Sequence, residues 1–327
     1  MKTDASLREI KAGDFYFRYD LIIKRIFPMK NINMLLTLLF LFVAGILLNG
    51  CHSRTEAPKI TPQGWFDAGT TWAEKGEYDK AIDSYNKALK MDPLYTGAYF
   101  YRAQMWEEKG EYKKAIKDYN KVLKISPNLE KAYNYRGGAW QMKGESDKAV
   151  EDYTKALEIN PDNAVAYHNR GNVWGKKGNY DKAIEDFNKA AELSPREPAI
   201  YDNRGNAWSK KGDYKRAIAD YNRALEIDSN FGMSCNNLAW LLATVPDSGL
   251  RDGNRAVQLA QKALTLLPDI STSDTLAAAY AEAGNFDEAV RTMERLILLL
   301  RRSKTEDLTP YLEHLNAYKA RKPWRIK

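Results

Sequence analysis

Between residues 62 and 303 apolar residues return three and four apart within short blocks, and the blocks return with a period of 34 residues. In the unit 164–197 one block covers 164–177 and a second covers 180–193, with Ala183, Ile184, Phe187 and Ala190 on one stripe. Gly178 and Asn179 between them supply a tight turn, and Pro195 ends the second block and opens the next. Each period therefore predicts two antiparallel helices. A single pair cannot bury its stripe alone, so neighbours must stack, and stability becomes a sum of nearest-neighbour terms.

Several residue types hold this register. Trp72, Trp106, Trp140, Trp174 and Trp208 are each followed four residues later by Gly76, Gly110, Gly144, Gly178 and Gly212. Ala81, Ala115, Ala149, Ala183 and Ala217 come next, then Tyr85, Tyr119, Tyr153, Phe187 and Tyr221, then Pro93, Pro127, Pro161 and Pro195. Gly171 and Ala183 let paired helices approach, and Trp174 and Phe187 are expected to fill the space between them. Five units are regular, at 62–95, 96–129, 130–163, 164–197 and 198–231. A sixth, 232–269, carries a longer connection at 243–253, and a seventh covers 270–303. In 304–327 Thr309 is expected to cap a short helix with Pro310 in its first turn and Leu312, Leu315 and Tyr318 inward, followed by a solvated basic tail of Lys319, Arg321, Lys322, Arg325 and Lys327.

This period and these positions resemble the tetratricopeptide repeat family over about 62–303. The resemblance implies an all-α, right-handed superhelical solenoid of about seven helix-turn-helix repeats closed by a C-terminal capping helix. It also implies that the first helix of each repeat lines a concave groove, through repeat positions 2, 5, 9 and 12, where peptides or partner helices bind. Those positions nominate Phe66 and Phe100 at one end and Asn134, His168, Asn172, Asp202, Asn206 and Asn236 further along. Amides offer both donors and acceptors to a peptide backbone. Lysine never occupies position 5, which argues against the carboxylate clamp of some family members. Arg170 and Arg204 at position 7 are expected to pack and pair locally.

Ahead of the repeats, 34–48 is an apolar run flanked by Lys24, Arg25 and Lys30. At ~1.5 Å per residue its length falls short of a bilayer core and fits the apolar region of a signal peptide. Leu48-Asn49-Gly50-Cys51 resembles the lipobox of bacterial lipoproteins, with Asn49 where a small residue is usual. That resemblance implies a signal peptide at 29–50, acylation of Cys51, and a linker at 51–61. With His52 rather than aspartate next, it implies an outer-membrane destination. The alternative is an uncleaved anchor in the inner membrane; in both cases the basic flank leaves the repeats exported. Residues 1–28 suit neither segment, and translation is expected to start at Met29.

The net charge of +7 does not mark a nucleic-acid surface, because residues 51–300 hold 35 basic and 36 acidic side chains and the excess sits at the two ends. Two cysteines and three widely separated histidines offer no metal set, and no cofactor motif is present. Cys235 is expected to be a buried small apolar residue. Without a phosphate loop, HExxH helix or nucleophile elbow, an enzyme is not expected. The sequence reads as a membrane-tethered scaffold or adaptor of the cell envelope that binds proteins or peptides. A chaperone-like holder of exported polypeptides and a regulatory subunit of an envelope enzyme complex are the alternatives.

Overall fold

Helix α1 (Pro62–Glu74) and helix α2 (Tyr78–Met91) pack antiparallel, and α3 (Thr96–Glu108) packs against α2. These belong to one unit of the computed structural model, which ends at Glu111; a second unit runs from Tyr112 onward. The structure describes residues 61–303 and 307–326. The N-terminal extension, the signal-like segment 29–50 and Cys51 lie outside the described residues. Among the described residues there are fifteen α-helices, one short 3-10 turn and no strand.

The second unit opens with α4 (Tyr112–Ile125) and continues as helix pairs: α5 (Glu130–Met142) with α6 (Ser146–Ile159), α7 (Ala164–Lys176) with α8 (Tyr180–Leu193), and α9 (Pro198–Lys210) with α10 (Tyr214–Ile227). Then come α11 (Gly232–Thr244) with α12 (Gly253–Leu266) and α13 (Ile270–Glu282) with α14 (Phe286–Arg302), and last α15 (Thr309–Lys319). Each second helix also packs against the first helix of the next pair, the stacking expected of a tetratricopeptide solenoid.

Sequence sets the hairpins locally. Gly144 and Gly178 sit at φ of 78° and 75°, a region open to glycine without steric cost. The pair interior is filled by the second-helix aromatic: Tyr85, Tyr153, Phe187 and Tyr221 are at most 2% exposed. Each lies against a glycine of the first helix. A Cβ built on Gly137 would stand 2.9 Å from the Tyr153 ring, and one on Gly171 would stand 2.8 Å from Phe187.

The tryptophans differ from expectation. Trp140 and Trp174 are half-buried at the hairpin edge instead of deep between helices. Lys143 and Lys148 flank Trp140, at 4.9 and 4.6 Å, and Lys177 and Lys182 flank Trp174, at 5.4 and 4.5 Å. The indole lids the core while its π face holds two cations.

The C-terminus corrects two further expectations. Leu312 is exposed, and His314 takes the inward place beside Leu315 and Tyr318, because Asp274 on α13 accepts a hydrogen bond from its Nδ1, 2.8 Å away. Helix α15 starts without a threonine cap: the Thr309 amide donates to Asp307 Oδ1. Nor is the tail wholly solvated. Trp324 packs tilted against His314 with centroids 4.3 Å apart, Arg325 pairs with Glu282 at 2.6 Å and donates to the Ala243 carbonyl, and the Ile326 amide donates to the Thr244 carbonyl. The tail thereby satisfies carbonyls at the end of α11 that the helix itself leaves open. Arg251 from the long connection shares Glu282, 2.9 Å away.

The aromatic-on-glycine seat makes a paired prediction. Gly137→Ala should lower stability by about 1–3 kcal/mol through overpacking against Tyr153. Gly138→Ala, one residue along, meets only the Tyr153 hydroxyl at 3.8 Å and should raise it by up to about 1 kcal/mol through helix propensity. Urea unfolding midpoints of the two variants check this; shifts of the same sign would show that no such seat exists.

Candidate protein-binding face

First helices carry the nominated residues, and their surroundings are polar in the second unit and aromatic in the first. In the first unit Phe66 is half-buried among Tyr85, Tyr95 and Tyr101, with centroids 5.7, 5.1 and 5.4 Å away. Phe100 stands edge-on to Tyr101 at 5.7 Å, and Tyr101 is 41% exposed.

In the second unit the position-5 side chains bond to position 6 of the next repeat. Asn169 Nδ2 donates to Asn134 Oδ1 at 3.4 Å, Asn203 Nδ2 to His168 Nε2 at 2.8 Å, and Asn237 Nδ2 to Asp202 Oδ1 at 3.1 Å. Phe66 and Tyr101 are the aromatic version of the same step within the first unit. Four rungs thus join successive first helices, each between residues 35 apart.

This ladder changes what the nominated residues can do. Asp202 is 1% exposed and accepts from Ser234 at 2.6 Å, Asn206 at 3.1 Å and Asn237. It is a buried junction and not a groove contact. Burial pushes its carboxyl above the usual carboxylate range, and the three donors pull it part of the way back. Asn206 is committed on both sides, since its Oδ1 also accepts from the Tyr221 hydroxyl at 2.9 Å. Asn236 donates to Ser271 Oγ at 3.2 Å while its Oδ1 is buried with no hydrogen-bond partner among the described residues. Asn172 alone of the nominated amides is half-exposed with no side-chain hydrogen bond among the described residues. Cys51 lies outside the described residues.

The position-7 arginines are structural ties, as expected. Arg170 Nε and Nη2 donate to both Asp186 oxygens at 2.9 and 2.8 Å, while Nη1 reaches Thr154 Oγ1 at 2.9 Å. Arg136 makes the same contacts to Asp152 and Asn120, and Arg204 to Asp220 and Asn188. One guanidinium fork so joins a first helix to its own second helix and to the one before. The ladder's donors, Asn169, Asn203 and Asn237, escaped the sequence reading although asparagine recurs directly before arginine in two repeats. Cys235 is fully buried, as expected.

Besides Lys131 and Val165 at position 2, which are exposed, the first helices of the second unit keep open a half-exposed row at positions 9 and 12: Gly138, Gln141, whose Oε1 accepts from the Tyr153 hydroxyl at 3.1 Å, Asn172, Gly175 and Ser209. Small side chains keep this row low, and Asn172 stands in it with both amide groups available. Among the described residues no three His, Cys, Asp or Glu side chains assemble a metal site. No described helix is long and apolar enough to cross a membrane.

The His168 rung carries a pH signature. Enclosure against Phe187 lowers its pKa to about 4. Unfolded, it titrates near ~6.5. Between those values the unfolded chain takes up a proton that the folded chain does not, so stability falls as pH drops through that window, by up to about 3 kcal/mol, and is flat above it. In unfolding free energies measured against pH, wild type minus His168→Gln should show this fall; a difference constant from pH ~7 to ~4 would show that folding does not shift the His168 pKa.

Models of the tetratricopeptide repeat match residues 66–130, 142–178, 164–197, 200–231 and 274–308. No curated protein matches the chain in sequence. Among solved structures, a tetratricopeptide repeat protein from Parabacteroides merdae is 18% identical with a TM-score of 0.58, over 79% of this chain and 98% of that one. Pseudomonas aeruginosa pilF is 19% identical with a TM-score of 0.57, over 66% of this chain and 96% of that one. MamA protein is 29% identical with a TM-score of 0.48, over 52% and 93%. With its 34-residue register, its stacked helix pairs and family models matching more than half of its length, the chain belongs to the tetratricopeptide repeat family, a family of protein-interaction scaffolds.

Proposed function

We propose that this chain is a membrane-tethered scaffold of the cell envelope that holds segments of partner proteins on the open face of its first helices. The observation that carries the binding part is the row Gly138, Gln141, Asn172, Gly175 and Ser209: it stays accessible after the ladder has consumed the neighbouring amides. A peptide laid along it meets small residues that admit its backbone and an unspent amide that can pair with it. The tether rests on the apolar run 34–48 and the lipobox-like Leu48-Asn49-Gly50-Cys51. Two or more acyl chains on Cys51, at ~0.8 kcal/mol per buried CH₂, hold a protein stably on a bilayer. No catalytic role is assigned.

Two experiments test the two parts separately. Asn172→Arg combined with Ser209→Arg should reduce capture of partners from detergent-solubilised membranes at least ~10-fold, since bulky charge fills the row. Both sites are half-exposed, so the melting temperature should hold; capture unchanged from wild type would move the binding surface elsewhere. For the tether, an alkyne-bearing fatty acid fed to cells should label the wild-type chain and not Cys51→Ser, and equal labelling of both would refute acylation at that residue.

A further inference from the structure

The outer stripes of α2, α6, α8 and α10 each carry both signs of charge, whereas that of α4 carries one. In α2 the stripe reads Asp79, Asp83, Lys87, Lys90; in α6 Asp147, Glu151, Lys155, Glu158; in α8 Asp181, Glu185, Lys189, Glu192; in α10 Lys215, Ala219, Arg223, Glu226. The same register of α4 holds Lys113, Lys117, Lys121 and Lys124, all exposed. Residues at these spacings share one helix face. On three of the other stripes a lysine is paired along the helix: Lys87 with Asp83, Lys155 with Glu158 and Lys189 with Glu192. The edge pairs lapse at the same place. Lys109 pairs with Asp79, Lys177 with Asp147 and Lys211 with Asp181. At the equivalent step the two positions hold Lys113 and Lys143.

We infer that the lysine stripe of α4 docks the second unit onto a bilayer surface of anionic lipid headgroups. The four ammonium groups lie along about 16 Å of helix at ~1.5 Å per residue. The exposed residues of α4 are lysines and Asn120, so the stripe offers a protein segment no apolar anchor and a nucleic acid no stacking ring. It has no arginine fork for stoichiometric carboxylate or phosphate recognition. Compact point charges in a row suit a continuous field of headgroups, to which each lysine contributes roughly a fivefold gain in partitioning. This reading rests on the proposed tether for its location, since the tether brings the chain to a membrane. Docking by a second helix would turn the first-helix face of this unit away from the lipid.

Amine-reactive footprinting of the full wild-type chain, read by mass spectrometry, tests it. The chain is mixed with neutral phosphatidylcholine vesicles or with vesicles about one-third phosphatidylglycerol, near physiological salt. Labelling of Lys113, Lys117, Lys121 and Lys124 should fall at least about threefold on the anionic vesicles and recover at high salt, where the screening length drops to ~3 Å. Lys189, paired with Glu192, serves as control and should not change. Equal labelling on both vesicles would overturn the inference. So would stronger protection by a polyglutamate peptide or by duplex DNA, which would give the stripe to an acidic protein or to nucleic acid. The full chain with Lys113→Gln, Lys117→Gln, Lys121→Gln and Lys124→Gln should lose its preference for anionic over neutral vesicles. Sedimentation with neutral vesicles reports the N-terminal anchor alone, so a failed tether and a failed stripe give different results.

Discussion

The seating of one aromatic ring on one glycine governs the spacing of four of the helix pairs. Tyr153 on Gly137, Phe187 on Gly171 and Tyr221 on Gly205 leave no room for a Cβ, so ring thickness sets how closely the two helices run. In the last two pairs the first helix carries alanine and the second helix carries no ring at the matching position: Ala239 is matched by Ala260, and Ala277 by Met293, all fully buried in one core. Met293 against Ala277 replaces a ring on glycine by a long side chain on a small one, while Ala239 and Ala260 bring no large side chain to this place.

Around this seat the second unit is tied between neighbours at three separate levels. The position-5 to position-6 ladder joins first helices, the arginine forks join a first helix to two second helices, and lysine–aspartate pairs join hairpin edges. Their energies differ. The arginine–carboxylate forks are largely withdrawn from water, with Asp186 only 6% exposed in its side chain, so leaving one partner alone there is costly. The edge pairs have aspartates 80–90% exposed and contribute little each. Geometry is therefore held from inside, and the edge charges are free to be replaced without loss of the fold. That freedom is what α4 uses.

Fold was legible in the sequence because each of its causes is periodic. Trp, Gly, Ala and the second-helix aromatic recur at fixed intervals, and each interval has one steric meaning. The binding face was less legible for a reason visible in the ladder. Its partners stand 35 residues apart, one more than the period, so pairing joins unlike positions that a column-by-column reading keeps separate. Asn134, His168 and Asp202 looked like free groove residues when each was judged alone. The C-terminus was misjudged for the opposite reason. It has no repeat to imply its contacts, and nothing in a run of basic residues distinguishes Arg325, which meets Glu282 and the Ala243 carbonyl, from Lys322, which is exposed.

A ladder that consumes the amides also sharpens what a binding face on this array can be. Side chains that already satisfy one another gain nothing from a visiting peptide unless it replaces their bonds, and a buried junction such as Asp202 would lose more than it received. Affinity on this face must come from positions the ladder leaves unspent and from the close approach that glycine and serine permit. On the proposed reading labour is divided: positions 5 and 6 hold register between repeats, and the unspent Asn172, Gly175 and Ser209 would meet the partner. Variation at Asn172 and Ser209 should change what is bound without loosening the stack, because neither contributes a side-chain hydrogen bond to it among the described residues.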